Sequence, residues 1–282
     1  MNSVKTFFLL SIMTSFFLLI GQYIGGAGGM QIAFIFAVVM NIGSYWYSDK
    51  IILKIYKAKE ADSKKFPEIL KIFENLCNKA NLPKPKLFIY ESEEPNAFAT
   101  GRNKDNAVVA LSSGIINLLS IDEIEGVLAH ELAHIENNDI LIASVAATFA
   151  GAISMIASML KWGLIFGAFR GNRNSGNFLG TILVAIIAPI IALIIQMAIS
   201  RTREFKADNT AAQITKKPNF LSDALVKIQD YHSRSKVNKE VNTATSHMFI
   251  ISPISGGVGK WLSSHPPTEE RVKKLRELEF VD

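Results

Sequence analysis

A long uncharged segment near the N-terminus constrains this chain more than any other sequence feature. No Asp, Glu, Lys or Arg occurs between Thr6 and Ser48, and the glycine-rich stretch Gly21–Gly29 divides this segment in two. Each half approaches the roughly 20 apolar residues that a helix needs to cross a bilayer. The pattern predicts a transmembrane hairpin over residues 1–48. A cleaved signal peptide is the alternative for the first half, but a second spanning segment follows at once, without a clear cleavage site.

Two further uncharged runs occur later, at Ile140–Leu160 and Asn177–Ser200. The first is rich in Ala, Ser and Gly, the small residues that let membrane helices pack closely. Residues 140–200 are therefore predicted to form a second hydrophobic helix pair, which gives four candidate spans. The alternative is a pair that dips into the membrane without crossing it. The loop between the two runs carries three basic residues and no acidic one, although four simple crossings would place it outside.

The distribution of charge indicates how the chain is oriented. Lys5 precedes the hairpin and the lysine cluster between Lys50 and Lys65 follows it, whereas the turn carries no charge. Because basic residues mark the cytoplasmic side, both ends of the hairpin are predicted to be cytoplasmic. Binding of nucleic acid would be another use for such a cluster, but its position beside an apolar run favours the membrane. The single cysteine, Cys77, excludes an intrachain disulfide and is predicted to be a buried, structural residue.

The soluble material falls into two pieces, residues 49–139 and 201–282, which should face the same side and form one domain. The chain is predicted to be mainly α, with a small sheet in an α+β domain. Periodicity, turn residues and capping signals place the individual elements. They are an amphipathic helix at Asp62–Ala80, strands at Lys86–Tyr90, Asn96–Gly101 and Ala107–Leu111, a helix from a capping box at Ser120 and Glu123 to about Asn137, and a final helix at Glu269–Leu278 capped by Thr268.

The helix that begins at Ser120 contains the sequence HELAH at residues 130–134. His130 and His134 project from one helical face, so their ring nitrogens can converge on a single metal ion. Glu131 lies between them, where its carboxylate can reach a water molecule beside the metal. Two histidines in an ordinary helix are the alternative. The small and apolar residues around the motif argue against it, because polar groups without partners are costly in a buried helix.

A catalytic zinc site needs a third protein ligand, and Glu204 is the candidate. It lies in SRTREFKAD at residues 200–208, directly after the fourth apolar run. Asp208 lies one helical turn further on, where it can accept a hydrogen bond from the non-ligating nitrogen of a zinc histidine. The alternative for both acids is a solvated charge run beside Arg201 and Arg203. A structural zinc site is disfavoured because such sites are usually closed by cysteines.

Four motifs resemble those of the HtpX-like membrane zinc metalloproteases, which share a peptidase family with the CAAX prenyl proteases. The order of the motifs and the apolar runs also match, so the resemblance covers nearly the whole chain. It implies a zincin-like domain with one Zn²⁺ per chain on His130, His134 and Glu204, and Glu131 as the catalytic base. The motifs are HELAH at 130–134, SRTREFKAD at 200–208, NAFATG at 96–101 and SHPPTEER at 264–271.

The resemblance also suggests residues that contact the substrate. The segment Asn96, Ala97, Phe98 and Ala99 resembles an edge strand that pairs with an extended peptide, although it could be an ordinary short strand. His265 resembles a histidine placed near the substrate, where it could stabilise the oxyanion as a catalytic residue. It could equally precede a proline turn. Arg271 is expected to pair with an acid of the active site.

The function implied is that of a zinc endopeptidase in a bacterial inner membrane, with its active site facing the cytoplasm. It would degrade misfolded or damaged membrane proteins under stress. Its partners would be unfolded or membrane-protein substrates and the lipid bilayer, with no nucleic acid. The alternatives are a processing protease for a lipidated substrate and a non-catalytic membrane scaffold with a metal site. The intact Glu131 argues against a scaffold, which has no use for a base.

Overall fold

The computed structural model describes residues 2–165, 201–234, 249–251 and 266–278. Within them, a helical hairpin precedes a domain in which helices pack around a small mixed sheet. The elements are, in chain order, α1 (Asn2–Ile55), β1 (Lys59–Glu60), α2 (Pro67–Lys79), β2 (Lys86–Tyr90), β3 (Ala97–Gly101), β4 (Ala107–Ser112), α3 (Ser113–Leu118), α4 (Ile121–Glu136), α5 (Ile140–Ile165), α6 (Arg201–Thr215), α7 (Pro218–Arg234) and α8 (Thr268–Arg276).

The hairpin is the long helix α1, which reverses direction at Gly25 and Gly26, where the backbone is not helical. Gly26 has a φ of +54°, a left-handed conformation that glycine adopts without steric cost. A Cβ atom on Gly21 would lie 2.5 Å from the carbonyl oxygen of Gly29, so the two legs approach this closely only because glycine occupies these positions. The glycine-rich stretch therefore forms the predicted turn between two helices.

Both legs of the hairpin, Val4–Tyr23 and Gly25–Ile55, are long and apolar enough to cross a bilayer. They expose large apolar side chains such as Leu19 and Ile32, as a surface in contact with lipid would. The third predicted run is helical, as α5. The fourth, Asn177–Ser200, lies outside the described residues. The described chain thus contains two candidate spans, and the count of four stays a prediction.

The sheet has the strand order β1-β2-β4-β3, with β2 and β4 parallel and the other neighbours antiparallel. The strands predicted at 86–90 and 107–111 are confirmed as β2 and β4. The strand predicted at Asn96–Gly101 begins one residue later, at Ala97. This strand, β3, lies at the edge of the sheet and contacts α4 and α5. The two-residue strand β1 is too short to give an alternating pattern and was not predicted.

Local chemistry sets the starts of α4 and α2. The predicted capping box of α4 is confirmed, since the Ser120 amide donates to Glu123 Oε2 at 2.7 Å and the Glu123 amide donates to Ser120 Oγ at 3.4 Å. Helix α2 begins at Pro67 rather than at the predicted Asp62. Proline suits the first helical position, and the preceding chain turns around the Asp62 carboxylate, which accepts from the Lys64 amide.

The prediction that Thr268 caps the last helix is wrong. The cap position belongs to Pro267, and no side chain caps this end. The Thr268 hydroxyl instead donates to Gln229 Oε1 of α7 at 3.0 Å. Helix α8 is therefore fixed at its start by a tertiary contact, which a local pattern cannot show.

Helix α4 lies at the centre of the domain, packed against α2, α6, α7 and the sheet. A Cβ atom on Gly126 would lie 2.5 Å from the backbone nitrogen of Leu221, so glycine allows α4 and α7 to approach closely. Cys77 is buried in this core, as predicted, and burial raises the pKa of its thiol to about 11. Such a thiol is not a nucleophile near neutral pH.

Candidate metal centre and active site

Three potential metal ligands converge between α4 and α6. His130 and His134 lie one turn apart on α4, and Glu204 approaches them from the first turn of α6. The two Nε2 atoms are 3.2 Å apart. Glu204 Oε2 lies 3.6 Å from Nε2 of His130, and Glu204 Oε1 lies 3.7 Å from Nε2 of His134. Segments separated by the second apolar region thus meet at one point.

The spacing of these atoms fits a single tetrahedral zinc ion. Zinc–nitrogen bonds of about 2.0–2.1 Å place neighbouring tetrahedral ligand atoms about 3.3 Å apart. The two Nε2 atoms are 3.2 Å apart, close to that value, and each of them has a different oxygen of Glu204 at 3.6 or 3.7 Å. One ligand atom from each of the three side chains lies within 4.8 Å of the other two. Two imidazoles and a carboxylate would also leave one position open, as a catalytic site requires. The group could therefore hold a catalytic metal ion.

Asp208 lies beside the first of these ligands, one turn after Glu204 on α6. Its Oδ1 is 3.0 Å from Nδ1 of His130, within hydrogen-bonding distance. Arg271 of α8 binds the same carboxylate with two bonds, from Nε at 2.8 Å and from Nη2 at 2.7 Å. Its guanidinium is 1% exposed, and Nη1 lies 3.9 Å from Glu204 Oε2. Arg271 thereby fixes the carboxylate that lies beside the imidazole.

These neighbouring charges shift the pKa values of the cluster. Burial alone would lower the pKa of His130, but Asp208 and Glu204 outweigh burial and raise this pKa to about 9. Burial would raise the pKa of Asp208, but Arg271 and His130 lower it to about 2. Because a metal binds neutral imidazole, it must displace a proton from His130 near neutral pH.

A carboxylate that sequence reasoning missed lies beside the second histidine. Oδ2 of Asp139 is 3.5 Å from Nδ1 of His134. Asn138 has a φ of +58°, and this left-handed residue turns the chain so that the Asp139 amide donates to the carbonyl of His134 at 2.9 Å. The only signal in the sequence is an acid five residues after the second histidine. The direction in which the Asp139 side chain points depends on the turn after α4, which that signal does not reveal.

Glu131 is buried between the two histidines on α4. Burial would lower the pKa of the Arg271 guanidinium, but Asp208, Glu204 and Glu131 outweigh burial and raise it. The Glu131 carboxylate thus belongs to the electrostatic surroundings of the candidate ligands. A carboxylate in this position can exchange a proton with water or with a departing amine.

The residue before the edge strand connects this strand to the metal centre. Asn96 accepts from the Ser112 amide through its backbone carbonyl, and Asn96 Oδ1 accepts from the Ile250 amide at 3.2 Å. The carbonyl of Ile250 accepts from Nη1 of Arg271 at 2.8 Å. Sequence reasoning gave no role to Ile250, because nothing in its neighbourhood marks a backbone contact. The remaining predicted substrate residues, Ala97, Phe98 and Ala99, form the buried start of β3.

The other histidines lie away from this cluster or outside the described residues. His232 Nε2 is 2.6 Å from Glu94 Oε1. His265, predicted to face the substrate, lies outside the described residues, as does His247.

Sequence comparisons agree with this geometry. Residues 63–279 match peptidase family M48. The chain is 51% identical over 277 residues to a protease HtpX homolog of Desulfatibacillum aliphaticivorans, a match that covers 97% of this chain and 89% of that protein. It is 49% identical to a protease HtpX homolog of Persephonella marina, with 99% and 98% coverage. A protease HtpX homolog of Pyrococcus abyssi is 46% identical, with 98% and 95% coverage.

A structural comparison finds the crystal structure of S. mikatae Ste24p, with a TM-score of 0.51 and 20% identity. The match covers 97% of this chain but 65% of that protein, so this chain spans less than two thirds of its length. At this identity the likeness shows the fold alone. The family match extends over most of the sequence and includes the three converging ligands, and a hairpin of two apolar helices precedes it. The chain belongs to peptidase family M48 and is a membrane metallopeptidase.

Proposed function

We propose that this protein is a zinc-dependent endopeptidase of the bacterial cytoplasmic membrane, with its active site on the cytoplasmic side. The observation that carries the proposal is the convergence of His130, His134 and Glu204, whose ligand atoms lie within 4.8 Å of one another, with Glu131 between the two histidines in the sequence of α4. Lysines after the hairpin support the cytoplasmic orientation, because basic residues mark that side. Degradation of misfolded or damaged membrane proteins is the role that suits a peptidase held at the membrane surface.

In this mechanism His130, His134 and Glu204 would hold the zinc ion, which would act as a Lewis acid when bound. A water molecule transfers a proton to Glu131 while the water oxygen attacks the scissile carbonyl carbon. The carbon–nitrogen bond then breaks, and Glu131 returns this proton to the departing amine. Asp208 keeps His130 oriented throughout. His265 would donate to the oxyanion formed at the carbonyl, which is the role proposed for it above.

We further propose that the substrate pairs with β3 as an added strand. In an antiparallel pair, alternate residues direct their amide and carbonyl groups towards the partner. The bond from the Ser112 amide to the Asn96 carbonyl places Asn96, Phe98 and Thr100 in the set that faces β4. The backbone groups of Ala97, Ala99 and Gly101 therefore face outwards. Backbone pairing of this kind accepts many side-chain sequences, which suits the degradation of damaged proteins.

The position of the metal centre supports membrane proteins as substrates. His134 lies a few residues before α5, and Glu204 follows the fourth apolar run by a few residues. Both connections are too short for the metal to lie far from the membrane surface. Extended loops of membrane proteins near that surface are therefore the proposed substrates.

The experiment that tests the proposal measures zinc content and casein cleavage of the full-length protein in detergent. Glu131→Gln should keep zinc but lose casein cleavage, because Glu131 is the proposed base and not a ligand. Glu204→Gln should lose both zinc and cleavage, because Glu204 is a proposed ligand. Glu125→Gln is the matched control on the same helix, since Glu125 faces Lys79 at 3.8 Å, and it should retain both. Zinc binding without cleavage by the unaltered protein would favour the scaffold alternative.

A further inference from the structure

The outer end of the edge strand β3 is occupied by a side chain of α5. The hydroxyl oxygen of Ser144 lies 3.1 Å from the amide nitrogen of Gly101 and 2.6 Å from the hydroxyl oxygen of Thr100. It also lies 2.7 Å from the carbonyl oxygen of Ile140, one turn earlier on α5. Ser144 is completely buried. An apolar helix that packs on the hairpin thus reaches the proposed substrate strand directly.

The directions of these three bonds follow from counting hydrogens. A serine hydroxyl has one hydrogen to donate and two positions at which it can accept. The Ser144 hydrogen goes to the Ile140 carbonyl, so the Thr100 hydroxyl and the Gly101 amide are both donors to Ser144. The Ser144 hydroxyl is then saturated, and the Gly101 amide is no longer available to a bound peptide.

The backbone at Gly101 supports an end to the strand at this point. Its φ of +139° is a conformation that L-residues rarely adopt. A Cβ atom there would lie 2.2 Å from the carbonyl oxygen of Asn106, so the chain is turned tightly against the segment that leads into β4. Ahead of Gly101, the outward-facing row of backbone groups has two members, Ala97 and Ala99.

We propose that Ser144 limits the substrate-binding edge, so that a bound peptide pairs its backbone with Ala97 and Ala99 only and leaves β3 before Gly101. This inference rests on the proposed function of β3 as the substrate strand. The opposite end of the strand is joined through Asn96 and Ile250 to Arg271 at the metal centre. The extended segment that a substrate must supply is therefore short. Ser144 determines specificity by fixing its length.

A scan of substrate backbone carbonyls tests this limit in the full-length protein in detergent. A quenched fluorescent peptide from casein is prepared with one thioamide at each position in turn, which weakens one carbonyl acceptor at a time. Thioamide substitution should lower kcat/KM several-fold at the two positions opposite Ala97 and Ala99, because the amides of these two residues lose a good acceptor. The next alternate position, opposite Gly101, should be insensitive. A third sensitive position there would overturn the proposal.

The variant Ser144→Ala provides a second test, because it frees the Gly101 amide for a substrate carbonyl. Two peptides are compared, one that ends opposite Ala99 and one that is two residues longer. The ratio of kcat/KM for the longer peptide to kcat/KM for the shorter one should rise several-fold, the factor expected from the free energy of one added hydrogen bond. Thr148→Val is the matched control. Among the residues that the structure describes, the Thr148 hydroxyl bonds the Ser144 carbonyl and not β3. Its loss therefore removes a hydroxyl one turn further along α5, and the ratio should stay unchanged.

An equal loss of activity on both peptides in Ser144→Ala would show a purely structural role and would refute the inference. If Ser144→Ala does not fold, the thioamide scan of the unaltered protein still decides. Failure of the proposed function would look different, because the unaltered protein would then cleave neither casein nor any peptide of the series.

Discussion

At the scale of single residues, the site depends on charges that neutralise one another in a buried place. The carboxylate of Asp208 lies between the imidazole of His130 and the guanidinium of Arg271, and all three side chains are almost completely buried. Removing one partner would leave an uncompensated buried charge, which costs roughly 3–5 kcal/mol. The same carboxylate that orients His130 also raises its pKa, so ligand geometry and proton affinity are coupled.

This coupling predicts how zinc affinity depends on pH. Because Asp208 and Glu204 raise the pKa of His130 to about 9, a zinc ion bound as proposed must displace a proton from this imidazole at neutral pH. Because binding releases this one proton, zinc affinity should rise about tenfold for each pH unit up to a pH near 9. In Asp208→Asn the pKa of His130 should fall, because the negative charge that raises this pKa is lost. The zinc affinity should therefore stop rising at a lower pH than in the unaltered protein. Zinc competition against a chelator between pH 6 and 9 measures both slopes.

The control for this measurement is Asp223→Asn, which alters an exposed carboxylate that pairs with Arg276. It should follow the unaltered protein at every pH. Parallel slopes for Asp208→Asn and the unaltered protein would show that Asp208 does not set the proton affinity of His130.

At the scale of elements, the close approach of α4 and α7 holds the ligand helix in place. A Cβ atom on Gly126 would meet backbone atoms of Phe220 and Leu221 at 2.5–2.8 Å, and backbone cannot move aside as a flexible side chain can. Gly126→Ala should therefore destabilise the protein by about 1–3 kcal/mol, the usual cost of overpacking. Thermal unfolding of the zinc-loaded protein in detergent should show a lower Tm.

The matched substitution is Gly43→Ala in α1, where the added Cβ atom would meet no atom within 4 Å. Its Tm should be unchanged or slightly higher, because alanine favours helix over glycine. A Tm for Gly126→Ala equal to that of Gly43→Ala would mean that α4 and α7 separate at little cost.

The parts of the fold that could be predicted well from the sequence are those whose start or turn is set by neighbouring residues in the chain. The capping box at Ser120 fixes the start of α4, and the glycines of the hairpin fix its turn, so both were predictable. The pairing of Arg271 with an active-site acid was expected from motif resemblance alone. Thr268 was misassigned because its hydroxyl is used in a contact with α7, and Asp139 was missed because a left-handed residue turns it back. Tertiary contacts and positive φ values leave little trace in a local pattern.

At the scale of the whole molecule, α5 joins the hairpin to the catalytic domain. Its side chains Ile142, Val145 and Phe149 are buried in a cluster with residues of both hairpin legs. Ala147 and Ser144 contact the sheet and its edge strand instead. The hydrophobic core around the metal ligands contains no hairpin residue within the described chain. The hairpin should therefore govern where the domain lies rather than how the metal is held.

Removing the hairpin should separate these two roles. A truncated chain of residues 49–282, purified in detergent, should retain zinc and cleave casein, because the core around His130 and Glu204 is intact. When each chain is reconstituted into liposomes together with a membrane protein, the truncated chain should cleave that protein less than the full-length chain does, because only residues 140–200 still attach the domain to the bilayer. It should also stay dependent on detergent, since Val145 and Phe149 lose their cover. The same chain with Glu131→Gln gives the background for both substrates. Undiminished cleavage of the liposomal substrate by the truncated chain would contradict this prediction and make the hairpin dispensable for access to membrane proteins.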